Sequence, residues 1–219
     1  MAKKNREHEF AVIGLGRFGG SLAQRLEELG QSVLGIDLDP LKSKDIADKI
    51  TEAVVLDATD PDALQQVDIT SFKTVIVAVE EDFETNALIT ASLKEMGIPH
   101  VICLSSSRRH RDILLRVGAD RVVIPLEESG IELADELSTP GMLYRLPISA
   151  DYSLIEIKPP PGLVKKKVEE SDRFEVYILL IVRGNELIVS PDHGLELRAD
   201  DILIVVGDKR RLAEFSALI

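Results

Sequence analysis

Apolar and polar positions alternate between two rhythms over the first 124 residues. Residues 10–13, FAVI, form a short apolar run of the kind buried on both faces of a parallel sheet. Leu22, Leu26 and Leu29 then recur at helical spacing, with Arg25, Glu27 and Glu28 between them and Gly30 as a stop. Residues 32–36 predict a second strand. Pro40 suits a first helical position, with a helix to 50. Residues 53–56 predict a third strand, and Asp60 can cap a helix starting at Pro61. A fourth strand over 74–79 (TVIVAV) precedes a long helix over 84–96, stopped by Gly97. A fifth strand at 101–104, a helix around Ile113, Leu114 and Val117, and a sixth strand at 122–124 complete the series. Strand and helix in strict alternation predict a doubly wound, Rossmann-like α/β domain with a parallel sheet covered on both faces.

A further helix at 127–137 exceeds what that sheet needs. Ser138-Thr139-Pro140-Gly141 breaks the pattern. The expected division is a nucleotide-binding domain over 1–137, a linker over 138–147 and a small, mostly β domain of α+β type over 148–219. In that domain, strands are expected at 153–157, 176–182, 186–189 and 202–206, with a closing helix at 209–218. Pro159-Pro160-Pro161-Gly162 reads as a rigid turn, and Gly184-Asn185 as a two-residue hairpin turn. A domain this small often needs a partner to cover its sheet.

Composition narrows the function. A net charge of −12 disfavours nonspecific binding to nucleic acid or anionic lipid. No apolar run has transmembrane length, and the polar start, residues 1–9, reads as a frayed leader and not a signal peptide. The one cysteine, Cys103, sits in an apolar run, fills core and cannot form an intrachain disulfide. A cytoplasmic protein is expected.

The chemistry concentrates at the start. Gly14, Gly16 and Gly19 make G-x-G-x-x-G between the first strand and the first helix, and Asp37 ends the second strand where a ribose-binding carboxylate belongs. Phosphates would meet backbone N–H groups at the helix start. Other candidates at carboxyl ends of strands are Asp39, Asp57, Ala58, Thr59 and Glu80. Arg17, inside the loop, reads either as a cation for a terminal phosphate or as a solvated residue. Asp57 and Thr59 flank the adenine or its ribose, or cap the next helix. A carboxylate at Asp37 disfavours NADP. His8, His100, His110 and His193 are scattered without metal-ligand spacing, and no nucleophile elbow, Walker loop or Cys–His pairing is present. A dehydrogenase would need a second domain able to hold substrate. The chain therefore reads as a nucleotide sensor and not an enzyme, with an NAD-dependent oxidoreductase or a nucleotide-binding scaffold as alternatives.

The blocks VIGLGRFGGSLA, GIDLDP, LDATD, TVIVAVEEDFETNALITASLKEMGIPHVI and LLRVGADRVVIP, in this order, resemble the RCK (KTN) gating-ring subunits of Ktr- and Trk-type potassium uptake systems. SLIEI, ILLIVRGNELIVSP and LRADDILIVVGDKRRLAEF resemble the same family's small C-terminal domain, so the likeness spans nearly the whole chain. It implies a cytoplasmic regulator, peripheral at the inner face of the plasma membrane through a membrane potassium-translocating subunit. It implies ATP/ADP or NAD(H) as cofactor, and homo-oligomers from dimers to an octameric ring. On this likeness Phe18, Val79 and Asn86 join the nucleotide-binding candidates, Arg17 reaches the γ-phosphate region, and the helix at 127–137 crosses to a neighbouring protomer. Three positions depart from the family pattern. Leu126 stands where a cation-binding glutamate often follows proline, which leaves Glu127 as the remaining candidate and no metal expected. Leu104 replaces a frequent basic residue at the end of the fifth strand. The run SDRFEVYI does not support a cyclic di-AMP site.

Overall fold

The computed structural model describes residues 9–138 and 141–218. Residues 1–8 of the expected leader, and Thr139 and Pro140 of the expected linker, lie outside the described residues. The chain divides into two compact units, 1–127 and 128–219.

In the first unit, β1 (Phe10–Ile13), β2 (Val33–Asp37), β3 (Glu52–Val55), β4 (Thr74–Val77), β5 (His100–Leu104) and β6 (Arg121–Val123) form one parallel sheet. Its order is β3-β2-β1-β4-β5-β6, the doubly wound arrangement that the alternation predicts. Helices α1 (Arg17–Glu28) and α2 (Pro40–Ile46) cover one face, where Ala23 and Ile46 pack with Val12, Val33 and Ile76. Helices α3 (Pro61–Gln66), α4 (Phe83–Glu95) and α5 (Arg108–Val117) cover the other, where Leu64, Ile89, Leu93 and Leu114 join Ile13, Ile36, Val75 and Val77. Both faces of the central strands are thereby buried, which is why their sequences are apolar without alternation. Two elements are shorter than the sequence suggests. β4 stops at Val77, and its pairing with β1 ends with the bond from Ala78 N–H to Ile13 O at 2.7 Å. α2 stops at Ile46, short of 50.

The helix expected at 127–137 is α6 (Pro125–Ser138), which starts at the proline because Pro is tolerated in a first turn. The stretch 138–147, read as a linker, contains strand β7 (Met142–Pro147). In the second unit β7 pairs with β8 (Tyr152–Ile157), and β9 (Tyr177–Arg183), β10 (Glu186–Val189) and β11 (Ile202–Asp208) complete an antiparallel sheet of order β10-β9-β11-β8-β7. Arg183 pairs with Glu186 across Gly184-Asn185, whose Gly184 has φ +59, so the two-residue turn forms as expected. α7 (Lys209–Ser216) closes one face, burying Leu212 and Phe215 against Ile155, Ile181 and Val205. The other face carries exposed Tyr144, Leu146, Tyr152 and Tyr177.

Candidate functional site

The carboxyl ends of β1, β2, β3 and β4 open into a cleft of about 1230 Å³ lined by residues of the first unit. The three glycines of the loop, two of which line the cleft, are there for different reasons. Gly14 has φ +93, and a Cβ there would lie 2.9 Å from Ala78 O. A Cβ on Gly19 would lie 1.9 Å from Gly14 O, so helix and loop could not meet. A Cβ on Gly16 would meet nothing within 4 Å. Nothing in the protein itself requires glycine at position 16.

Asp37 is buried and fixes the loop. Its Oδ2 accepts the Leu15 N–H at 2.7 Å and its Oδ1 the Asp39 N–H at 2.8 Å. Lys42 Nζ stands 3.6 Å from Oδ2. Asp39, expected beside the ligand, is the N-cap of α2, accepting from Leu41 N–H at 2.9 Å, and is not among the cleft-lining residues.

The start of α1 is unusual for this chain. Helices α2, α3, α4, α5 and α7 each have a side chain that accepts a first-turn N–H, from Asp39, Asp60, Asp82, Ser107 and Asp208. The N-cap of α1 is Gly16, with no side-chain cap. Its first-turn N–H groups therefore lack an intrahelical or capping acceptor and face the cleft with the positive end of the helix dipole.

Around this floor, Arg17, Phe18, Asp57, Ala58, Thr59, Val79 and Glu80 all line the cleft. Asp57 Oδ1 accepts both the N–H and the hydroxyl of Thr59, at 2.9 and 2.7 Å. These two bonds hold its carboxyl below the usual range. Capping of α3 falls to Asp60 instead, through Asp62 N–H. Asn86 is not at the surface of the cleft. It is 1% exposed and its amide donates to Val79 O at 2.8 Å and Leu104 O at 2.9 Å, tying the end of β4 to the end of β5. Asn86 positions Val79; a ligand cannot reach it. Leu104, where a cation would have served a phosphate, is a buried wall residue.

Residues that sequence reasoning missed are Ser21, Arg25, Lys42, Asp82 and Thr85, all lining the cleft. Asp82 and Thr85 carry a signal in the sequence, an N-cap followed three residues later by its partner, and Thr85 hydrogen bonds hold the Asp82 carboxyl below the usual range. Glu127, the cation candidate, is ion-paired to Arg108, which lowers the Glu127 pKa mainly through that hydrogen bond. Among the described residues no group of three His, Cys, Asp or Glu is placed to hold a metal. Cys103 is buried against Thr90 Oγ1 at 3.1 Å, and burial pushes its thiol up to about 11, which makes it inert core.

Residues 10–125 match the TrkA-N domain, and residues 152–219 match the TrkA-C domain. The chain belongs to the TrkA-N/TrkA-C domain family. Ktr system potassium uptake protein A of Bacillus subtilis (strain 168) is 32% identical over 213 residues, covering 96% of each chain. Ktr system potassium uptake protein C of the same organism is 34% identical over 210 residues, covering 94% of this chain and 95% of that protein. Among solved structures, the RCK domain of GsuK superimposes with a TM-score of 0.67 at 19% identity, over all of this chain and 49% of that one. This TrkA-N/TrkA-C chain thus spans about half the length of that structure, and the likeness is one of fold. The NAD(P)-binding domain of an exopolyphosphatase-related protein from Archaeoglobus fulgidus matches with a TM-score of 0.54 at 25% identity, over 59% of this chain and 97% of that one.

Proposed function

We propose that this chain is the regulatory, nucleotide-sensing subunit of a potassium uptake system, with adenosine nucleotide bound in the first unit. The observation that carries the nucleotide reading is the uncapped start of α1 over Gly16, beside the buried Asp37. A phosphate supplies what that helix end lacks, and Asp37 retains lone pairs for ribose hydroxyls. Similarity to two Ktr subunits over nearly the full chain supports the transport role. ATP/ADP and NAD(H) are the ligands proposed, and a membrane potassium-translocating subunit the partner.

The cleft suits sensing better than catalysis. Asp57 and Asp82, the lining carboxylates with shifted pKa values, are both moved down, away from the range useful for proton transfer at neutral pH. A sensor must also transmit. Exposed Ile131, Leu133 and Leu137 on α6, and the exposed tyrosines and leucines on the open face of the second sheet, support homo-oligomers in which partners cover these surfaces. We place the chain in the cytoplasm, at the membrane only through its partner; no helix among the described residues is long and apolar enough to cross a membrane.

The test has two arms. Isothermal titration with ATP, ADP, NADH and cyclic di-AMP should show binding of at least one of the first three. Co-purification with a membrane potassium subunit should succeed. Hydride transfer with a panel of hydroxy acids would instead support an oxidoreductase.

A further inference from the structure

Charge is unevenly spread along this chain. Its net charge is −12, yet residues 108–121, which make α5 and the first position of β6, hold five arginines against two aspartates. The next helix inverts the balance. Residues 125–138, which make α6, hold five acids and no basic residue.

Both helices also carry aliphatic side chains that the chain itself leaves open. Arg108, Asp112 and Arg116 recur every four residues along the exposed face of α5. Ile113 and Leu115 flank that row and are 36% and 43% exposed. On α6, Leu133 and Leu137 stand four residues apart at 54% and 77% exposure, beside the exposed Glu132. Each helix thus mixes open aliphatic groups with charge, and the sign of the charge is opposite on the two.

Pairing within the chain uses only part of the basic face. Arg108 takes Glu127 of α6, and Arg111 takes the adjacent Asp112. Arg109, Arg116 and Arg121 are exposed and form no ion pair among the described residues. Arg121 begins β6, the outermost strand of its sheet. Two copies of a chain this acidic repel each other at long range. They can approach where a positive patch on one meets a negative patch on the other. Burial of the aliphatic side chains then adds an attraction that ionic screening does not touch.

Resting on the homo-oligomer reading above, we infer that the basic face of α5 and β6 on one copy receives the acidic, leucine-bearing face of α6 from a second copy, and that this contact makes assembly respond to ionic strength. Its ion pairs lie near the surface, so salt weakens them: the screening length falls from about 10 Å at 0.1 M to about 3 Å at 1 M. The assembly tightens in dilute salt and loosens in concentrated salt.

The experiment is light scattering of the full chain in KCl from about 0.1 M to about 1 M. It is repeated for Arg109→Glu with Arg116→Glu, for Glu132→Arg, and for the three changes together. All three side chains are exposed, so the variants should fold, and thermal melts check this; the wild-type salt series tests the contact without any variant. The mean mass of the wild type should fall as salt rises. Reversal of either face should weaken association in dilute salt by at least about tenfold and flatten the salt dependence, and the triple variant should regain association. Association unchanged by salt or by either reversal overturns the contact and leaves the homo-oligomer standing. So does association that strengthens with salt, as uniform repulsion between two acidic chains would give, or a triple variant that regains nothing. A monomer at every salt concentration overturns the homo-oligomer reading and the contact together.

Discussion

Asp37 and Leu15 are joined across 22 residues by a 2.7 Å bond from the Leu15 N–H to Asp37 Oδ2. The acid that the sequence assigns to a ligand is therefore also the anchor of the loop that forms the site. Asp37→Asn puts an amide donor against one of two N–H groups that now find a carboxylate. Leaving one buried N–H unsatisfied costs about 1–3 kcal/mol. The variant should melt earlier and bind nucleotide at least about tenfold more weakly. A variant with wild-type melting temperature and wild-type affinity would show that neither role holds.

The glycines separate folding from binding. Gly16→Val should fold with little loss of melting temperature, since a Cβ there meets no protein atom within 4 Å, yet lose nucleotide affinity by at least about tenfold as it fills the phosphate's space. Gly19→Ala should lose about 1–3 kcal/mol or more through overpacking against Gly14 O. Denaturant titration and calorimetry on the two variants distinguish these outcomes. Unchanged affinity in a folded Gly16→Val protein removes the nucleotide from this loop.

These two positions show what the sequence makes legible. The parallel strands, the glycine loop and Asp37 follow from local runs and spacing, because a parallel strand buried on both faces writes itself as an apolar run. Lys42 and Arg25 are invisible at that level. They line the same cleft from two different helices, and nothing in their spacing says which face of each helix borders it. Asn86 misleads for the opposite reason. The family likeness puts it with the nucleotide-binding residues, but it lies in the first turn of α4 and its amide is turned inward to two carbonyls. Strand β7 was hidden by Thr139-Pro140-Gly141, which reads as a breaker; the strand begins immediately after it and gains its ladder from β8.

The second unit has its own buried charge. Arg183 reaches Asp201 with two bonds, at 2.7 and 2.8 Å, and Asp201 is 0% exposed. Burial raises the Asp201 pKa, but the Arg183 hydrogen bonds, the Arg198 N–H and both positive charges outweigh it, and the net shift is downward. Asp201→Ala strands the guanidinium and should cost about 3–5 kcal/mol. A carboxyl depressed in the folded state stabilises above its unfolded pKa of 3.8, and that contribution disappears as pH falls through the lower folded value. Wild-type stability should therefore fall below about pH 4, and the Asp201→Ala variant should show a shallower fall. Urea titrations from pH 7 down to pH 3 measure both slopes, and parallel slopes would remove Asp201 from the acid response.

Discrimination between ATP and ADP falls on Arg17. It is the cation within the glycine loop, it lines the cleft at the first turn of α1, and Leu104 supplies no second cation at the end of β5. A charge-assisted contact to a terminal phosphate is worth about 1.5–3 kcal/mol, or roughly tenfold to a hundredfold in affinity. ADP loses that contact but keeps the α1 amides and Asp37, neither of which depends on Arg17. Arg17→Ala should therefore lose most of any ATP preference and leave ADP affinity within about twofold. A ligand shifts a conformational equilibrium only by its differential affinity for the two states. The same variant should thus lose any ATP-specific effect on ion flux when reconstituted with the proposed membrane potassium-translocating subunit, while nucleotide binding itself persists. If Arg17→Ala weakens ATP and ADP equally, the guanidinium is a general phosphate anchor. The reading of γ-phosphate then falls, and NAD(H) becomes the ligand that the cleft fits better.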